Sequence, residues 1–362
     1  MPISSLSISH IRNIQQAELR PSSRINVIYG ENGSGKTSLL EAIHFLGLTR
    51  SFRTSQFKYL VTQDTPQALV FAQLAQGAHA AKPLGVERQT SGDVRIRYDA
   101  NTIDLAELAG LLPLQVINTD TFDLLEGSPA NRRQFIDWGA FYFDPAFIQV
   151  WRGFKRVLQQ RNSLLKCGKI DPAVRQVWDR EFIQYAQRIT ELRFAYIAQL
   201  IPDFEAILAH LFSGAEIRLN FSPGWDQKVP LDELLGAQLE RDIRQGYTSA
   251  GPQRADLRVK ADGISAAERL SRGQKKLVVS ALKLAQGTLY HRLSGRPCVY
   301  LIDDLPSELD QQHSRLFCEY LEQTTNQCFI TCVDPASLRT VWRPETDVAY
   351  FKINAGELVQ TH

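Results

Sequence analysis

The sequence predicts an α/β fold in which a mixed central sheet is built from both ends of the chain, with an antiparallel β region beside it and a helical segment inserted between. Three observations predict it. An apolar strand, a glycine-rich turn and a helix follow one another over residues 25–48; apolar runs alternating with a helix return over residues 298–353; and a helical stripe of large apolar residues lies between positions 131 and 212.

Taken in order, Leu6 and Ile8, Ala17 and Leu19, and Ile25 and Val27 alternate with polar residues, which predicts two or three strands leading to Gly30. Leu39, Leu40, Ile43 and Leu46 then recur at helical spacing over residues 38–48. Over residues 68–103 the short runs 69–74 and 94–98, broken by Gly77, Gly85 and Gly92, predict an antiparallel sheet. Trp178, Phe182, Tyr185, Ile189, Leu192 and Tyr196 are spaced by 4, 3, 4, 3 and 4, and Trp151, Phe154 and Leu158 start a similar stripe. With residues 168–172 between them they predict an antiparallel helical hairpin, each arm at most roughly 45 Å long, although ordinary core helices fit the same stripes. The apolar runs 298–302, 327–333 and 348–353, with a helix over 311–322, restore the α/β alternation, so the two ends share one sheet. The predicted division is an N-terminal core part over 1–125, an inserted helical subdomain over 126–249 and a C-terminal core part over 250–362.

Length and composition agree with a folded chain: 362 residues, 44% hydrophobic and 22% charged, can bury a sizeable core, which excludes disordered and fibrous classes. Lys plus Arg number 41 against 39 Asp plus Glu, so a uniformly basic nucleic-acid coat is excluded while local patches are not. Residues 241–296 carry 12 basic against 4 acidic residues and residues 151–188 carry 9 against 3, charge that phosphate backbones could use. Five cysteines, at 167, 298, 318, 328 and 332, make no disulfide framework and point to a reducing compartment. No stretch approaches 18 uninterrupted apolar residues and the N-terminus lacks a basic-then-apolar leader, so a cytoplasmic protein without a membrane partner is expected.

The chemistry is carried by motifs. Gly30, Glu31, Asn32, Gly33, Ser34, Gly35, Lys36 and Thr37 match G-x-x-x-x-G-K-[ST], in which glycines let backbone N–H groups wrap a β-phosphate at a helix N-terminus that continues into Ser38. Lys36 would reach the β and γ oxygens, and the Thr37 hydroxyl would ligate Mg²⁺. The apolar run 299–302 ends in Asp303 and Asp304, the form expected where a strand opens beside such a loop: Asp303 would hold Mg²⁺ and Asp304 would orient or deprotonate an attacking water. Ser271, Gly273 and Gln274 lie in Leu-Ser-Arg-Gly-Gln just before a strongly helical run, where a helix exposes free N–H groups that favour an anion. Ser307-Glu308-Leu309-Asp310 follows the two carboxylates.

Together these motifs resemble the ATPase heads of the SMC-like ABC family. Phe52-Arg53-Thr54, Arg132-Arg133, Thr248 with Gly251-Pro252, and Ala255-Asp256-Leu257 are similar to the branch of that family that serves bacterial DNA replication and repair. The resemblance implies an ABC-type head that binds ATP and Mg²⁺ and acts on DNA at single-strand gaps and stalled forks, with RecO and RecR, to help load RecA. It also implies an ATP-dependent homodimer, with Lys36 and Asp303 of one copy and Ser271 and Gly273 of the other gripping one nucleotide. Four departures accompany it: residues 116–120 lack the usual Gln, Thr331-Cys332-Val333 lacks the usual His, Gln253 stands where His is expected, and Asp304 replaces a Glu. The shorter carboxylate implies slow hydrolysis, better suited to a switch than a motor. An ATPase subunit of a membrane transporter and a repair scaffold with little turnover are the alternative readings.

Overall fold

The structure, a computed structural model, describes residues 2–76, 79–167, 171–305 and 309–361. The chain divides into two compact units, one of Met1–Thr121, Ile207–Phe212 and Lys276–His362, the other of Phe122–Ala206 and Ser213–Lys275.

The first unit opens with an antiparallel sheet. Strands β1 (Ile3–Ile11) and β2 (Ile14–Leu19) pair with each other; β3 (Ile25–Tyr29) leaves for the second sheet; β4 (Gln67–Gln76), β5 (His79–Gln89), β6 (Val94–Tyr98) and β7 (Asn101–Thr102) complete the order β2-β1-β4-β5-β6-β7. Gly92 does mark a turn, with φ +110°, but Gly85 breaks nothing: it lies inside β5 opposite Phe71. Gly77 lies outside the described residues.

The second sheet of this unit has the order β15-β14-β3-β13-β12-β8, with β8 (Leu114–Ile117), β12 (Val299–Ile302), β13 (Gln327–Cys332), β14 (Val348–Asn354) and β15 (Glu357–Thr361). Five of these strands run parallel, and only β15 is antiparallel, to β14. The expected sharing of one sheet by both ends of the chain therefore holds. Every residue of β12 and β13 is buried, which is why neither reads as an alternating strand. Helix α1 (Lys36–Leu48) packs Leu39, Leu40, Ile43, Phe45 and Leu46, all with no exposure, into the core with β1, β4 and β13. Each such side chain stabilises the fold by about 1.5–3 kcal/mol. Helix α2 (Leu105–Leu111) starts in a capping box, Asp104 accepting from the Glu107 N–H and Glu107 from the Asp104 N–H. Cys328 and Cys332 sit inside β13, where burial pushes their thiols up to about 12 and keeps them neutral.

His44 on α1 gives this core a pH dependence. Its Nδ1 lies 2.7 Å from the Arg50 carbonyl and its ring meets Phe52 edge-on. Burial lowers its pKa from 6.5 to about 4; Arg50 and Lys283 push the same way, while the carbonyl and Glu41 oppose. Between these values the unfolded chain binds a proton that the folded chain refuses, so the contribution is full above pH 6.5 and is lost as pH falls through about 4. The total is on the order of 3 kcal/mol. Thermal melts at pH 7 and 5 should therefore show a smaller acid-induced drop in His44→Gln than in the parent chain; equal drops contradict the assignment.

In the second unit, α3 (Asp123–Glu126), α4 (Pro129–Phe143), α5 (Phe147–Lys166) and α6 (Pro172–Leu211) are followed by the antiparallel sheet β11-β10-β9, formed by β9 (Ile217–Ser222), β10 (Asp256–Ala261) and β11 (Ile264–Ser265). Helices α7 (Leu231–Ala237) and α8 (Leu239–Gln245) precede β10, and α9 (Ala266–Arg269) leads to α10 (Arg272–Ser294), of which residues from Lys276 onward belong to the first unit. Phe154 packs on Phe182 at 5.6 Å between ring centres and Arg161 bonds Asp179, so α5 and α6 run antiparallel as the stripes predict. The expected arm length needs correcting. Helix α5 has 20 residues and spans about 30 Å, but α6 has 40 and spans about 60 Å. Pro202 lies within α6 without ending it. The connection 168–170 lies outside the described residues.

Candidate nucleotide site

The candidate site stands at the C-terminal ends of three adjacent parallel strands of the first unit, β3, β13 and β12, where an open α/β sheet ordinarily receives its ligand. Residues 30–37 link β3 to α1. Gly30 admits no side chain, since a Cβ there would lie 2.3 Å from the Ile353 carbonyl oxygen, and Gly35 caps α1 with φ +116°. The first N–H groups of α1 have no partner within the helix and carry its positive dipole end. Lys36, only 8% exposed, donates from Nζ to the carbonyls of Gly30 at 2.8 Å and Glu31 at 2.9 Å. Asn13, in the turn between β1 and β2, accepts from the Ser38 hydroxyl at 2.8 Å and donates to the Gly33 carbonyl at 3.4 Å, tying that turn to the loop.

The two carboxylates end β12. Thr37 Oγ1 lies 3.1 and 3.0 Å from the two oxygens of Asp303, and the Thr331 hydroxyl, from the neighbouring β13, donates to Asp303 Oδ1 at 2.7 Å. The same Thr331 oxygen accepts from the Asp304 N–H at 2.7 Å. Asp304 has φ +53°, a left-handed backbone conformation that aspartate adopts more readily than most residues; the Thr331 bond holds it there. Burial raises the Asp303 pKa, and the neighbouring Asp304 raises it too, against hydrogen bonds from Thr331 and Thr37 and the charge of Arg53.

A cavity of about 430 Å³ lies between these groups, lined by Asn32, Gly33, Gly35, Lys36, Thr37, Ser38, Arg53, Thr119, Asp303 and Asp304. Thus the loop and both carboxylates meet in one place. Gly30, Glu31 and Ser34 belong to the loop without lining the cavity. Ser271, Gly273 and Gln274 lie in the second unit, exposed or half-exposed at the start of α10. There Ser271 Oγ accepts from the Gln274 N–H at 3.3 Å and Gln274 Oε1 from the Ser271 N–H at 3.0 Å, a reciprocal cap. Ser307 and Glu308 lie outside the described residues, while Asp310 caps the helix Gln311–Gln323 through the His313 N–H.

Motif reading gave no site role to Asn13, Arg53, Thr119 or Thr331. Thr119 belongs to the segment where Gln is missing and Thr331 to the segment where His is missing, so the absences themselves were the signal. Gln253, where His is expected, donates to the carbonyls of Thr248 and Ala250. The basic clusters also look different in space. Arg161, 1% exposed, is bonded to Asp179, Asp242 and Thr248, and Arg193, 3% exposed, to Asp137 and the Pro252 carbonyl, so both organise the interior of the second unit. Arg132 forks onto Asp256 and Arg133 donates to the Ala255 carbonyl.

The sequence profile of the RecF/RecN/SMC N terminal domain matches residues 2–352. The DNA replication and repair protein RecF of Pseudomonas paraeruginosa (strain DSM 24068 / PA7) is 48% identical over 362 residues, covering 100% of this chain and 98% of its own. The chain belongs to the RecF family. A second RecF, from Pseudomonas syringae pv. syringae (strain B728a), is 47% identical over 365 residues with 100% and 99% covered. Among solved structures, the recombination mediator protein RecF with ATPrS in the RecFOR pathway superposes with a TM-score of 0.87 at 24% identity, over 99% of this chain and 98% of that one. An Smc head domain from Pyrococcus furiosus gives 0.59 at 16% identity, over 99% and 96%. The RecF fold is accordingly that of an SMC-like ABC ATPase head, as the motifs imply. No helix among the described residues of this RecF-family chain is long and apolar enough to cross a membrane.

Proposed function

We propose that this RecF-family chain is an ATP-dependent DNA-binding protein of recombinational repair and replication restart, a cytoplasmic switch that closes as a homodimer on ATP and reopens on slow hydrolysis. The observation that carries the reading is the meeting of Lys36, Thr37, Asp303 and Asp304 around one cavity. A triphosphate there would have its β and γ oxygens against the α1 N-terminus and Lys36, whose three donors include two now given to loop carbonyls. Thr37 and Asp303 fit a small, hard divalent ion: they are oxygen donors already converged within 3.1 Å, and a buried carboxylate held toward its neutral form gains its charge back beside a cation. Thr37 and Asp303 would hold Mg²⁺, whose charge would offset that of the phosphates. Asp304, oriented by Thr331, is the residue to position water at the γ-phosphate.

Exposed Ser271 and Gly273 suit contact with the γ-phosphate of a nucleotide held by a second copy, which gives the dimer a higher affinity for ATP than for ADP. In functional terms 1–125 supplies the phosphate loop, 126–249 the inserted helices, and 250–362 the signature segment and the carboxylates. The solved RecF structures of the RecFOR pathway support RecO and RecR as partners; help in loading RecA is what the family resemblance adds. DNA contacts, single-stranded, gapped or double-stranded, would run mainly to phosphates and be steeply salt-dependent.

Hydrolysis of ATP by the purified chain, with and without gapped duplex at two salt concentrations, tests the proposal. Slow turnover that rises with DNA at low salt is expected, and Asp304→Asn should cut it about a hundredfold or more while leaving ATP affinity within a few-fold. Turnover indifferent to both DNA and Asp304 overturns the ATPase assignment in favour of a scaffold.

A further inference from the structure

Arg12, Glu41 and Ser51 stand outside every motif, yet they form a continuous network ending at the cavity. Glu41, on α1, has a side chain with no exposure at all. A buried carboxylate needs a fixed counter-charge, and Arg12 supplies one in fork geometry: Nε donates to Oε2 and Nη2 to Oε1, each at 2.9 Å. Arg12 itself sits in the turn between β1 and β2, with φ +54°, its N–H donating to the Leu60 carbonyl at 2.8 Å. The Ser51 hydroxyl then donates to Glu41 Oε1. Its oxygen accepts from the backbone N–H of Arg53 at 2.9 Å and of Thr54 at 3.1 Å. The turn carrying Arg53 is therefore fastened from its first residue to a buried ion pair.

Arg53 is what this fastening would serve. It lines the cavity, its charge is felt by Asp303, and its guanidinium makes no ion pair among the described residues. A loop arginine costs much side-chain and backbone entropy to hold in place, so its contribution to an anion depends on how firmly the backbone beneath it is set. The adjacent Asn13 anchors the same β1–β2 turn to Gly33 and Ser38. One turn thus fastens both the phosphate loop and the Arg53 loop.

We propose that Arg12, Glu41 and Ser51 are positioning residues that set Arg53 toward the phosphates of a nucleotide in the cavity. The proposal rests on the nucleotide reading of that cavity. A purely structural network would lower stability without any dependence on Arg53, whereas a positioning network acts only through it.

ATP titration by calorimetry on the full chain, with Ser51→Ala, Arg53→Ala and the double variant, separates the two. Arg53→Ala and Ser51→Ala are each expected to weaken ATP binding about tenfold, and Ser51→Ala to add nothing in the Arg53→Ala background. Arg12→Lys keeps the charge but not the fork, and should weaken binding a few-fold, again only while Arg53 is present. Losses that add in the double variant, or an unchanged affinity in Ser51→Ala, overturn the positioning role. Lys36→Ala is the separate control: undiminished ATP binding there overturns the nucleotide reading itself.

Discussion

Lys36→Ala should reduce ATP affinity by about a hundredfold or more, because it removes the one side-chain cation of the phosphate loop and with it the charge-assisted bonds to two phosphate oxygens. Lys36 is buried to 8% exposure between the Gly30 and Glu31 carbonyls, so the site is shaped for a compact ammonium. Lys36→Arg should consequently fail too, though less completely, since a planar fork cannot occupy the same cradle. The folded state should survive both changes, as the core packing of α1 runs through Leu39, Leu40, Ile43 and Leu46 rather than through Lys36. Calorimetric titration reads the affinity, and a thermal melt confirms the fold. A parental affinity in Lys36→Ala would place the phosphates elsewhere.

Ser271→Arg should abolish ATP-driven dimers while each copy still binds ATP. The residue is exposed and belongs to the second unit, and it lines no part of the cavity. Part of the effect of this variant would come from the lost reciprocal cap with Gln274, worth about 1 kcal/mol to the start of α10. Gly273→Arg removes that ambiguity: a Cβ at Gly273 meets nothing within 4 Å, so the single chain accommodates the new side chain and only an approaching partner would clash with it. Loss of ATP binding equal to the loss of dimer in Gly273→Arg would contradict a signature that acts on the partner's nucleotide.

The phosphate loop and the paired carboxylates were legible because their chemistry is written in contiguous residues. Glycines at 30, 33 and 35 and the run ending at Asp303 need no knowledge of the tertiary fold. The shared sheet was legible for a related reason, as a buried parallel strand such as β12 leaves an unbroken apolar run. What escaped is what only the sheet order brings together. Thr331 reaches Asp303 because β13 lies between β3 and β12, a neighbour relation that no local pattern encodes. Glu41 belongs to no motif, and its partner Arg12 lies 29 positions earlier, in the turn between β1 and β2. Charge counting misjudged Arg161, whose guanidinium holds α5 to α6 and α8 instead of facing solvent. The length of α6 was underestimated because the apolar stripe that marks it runs only from Trp178 to Tyr196, whereas the helix extends from Pro172 to Leu211.

In the proposed switch, one ATP is gripped by two copies of this chain. Sedimentation of the purified protein with ATP, with ADP and with no nucleotide measures it most directly. A particle of twice the single-chain mass is expected with ATP alone, reverting to one chain as ATP is consumed or replaced by ADP. A chain that binds ATP stoichiometrically and remains single at every concentration tested would contradict it.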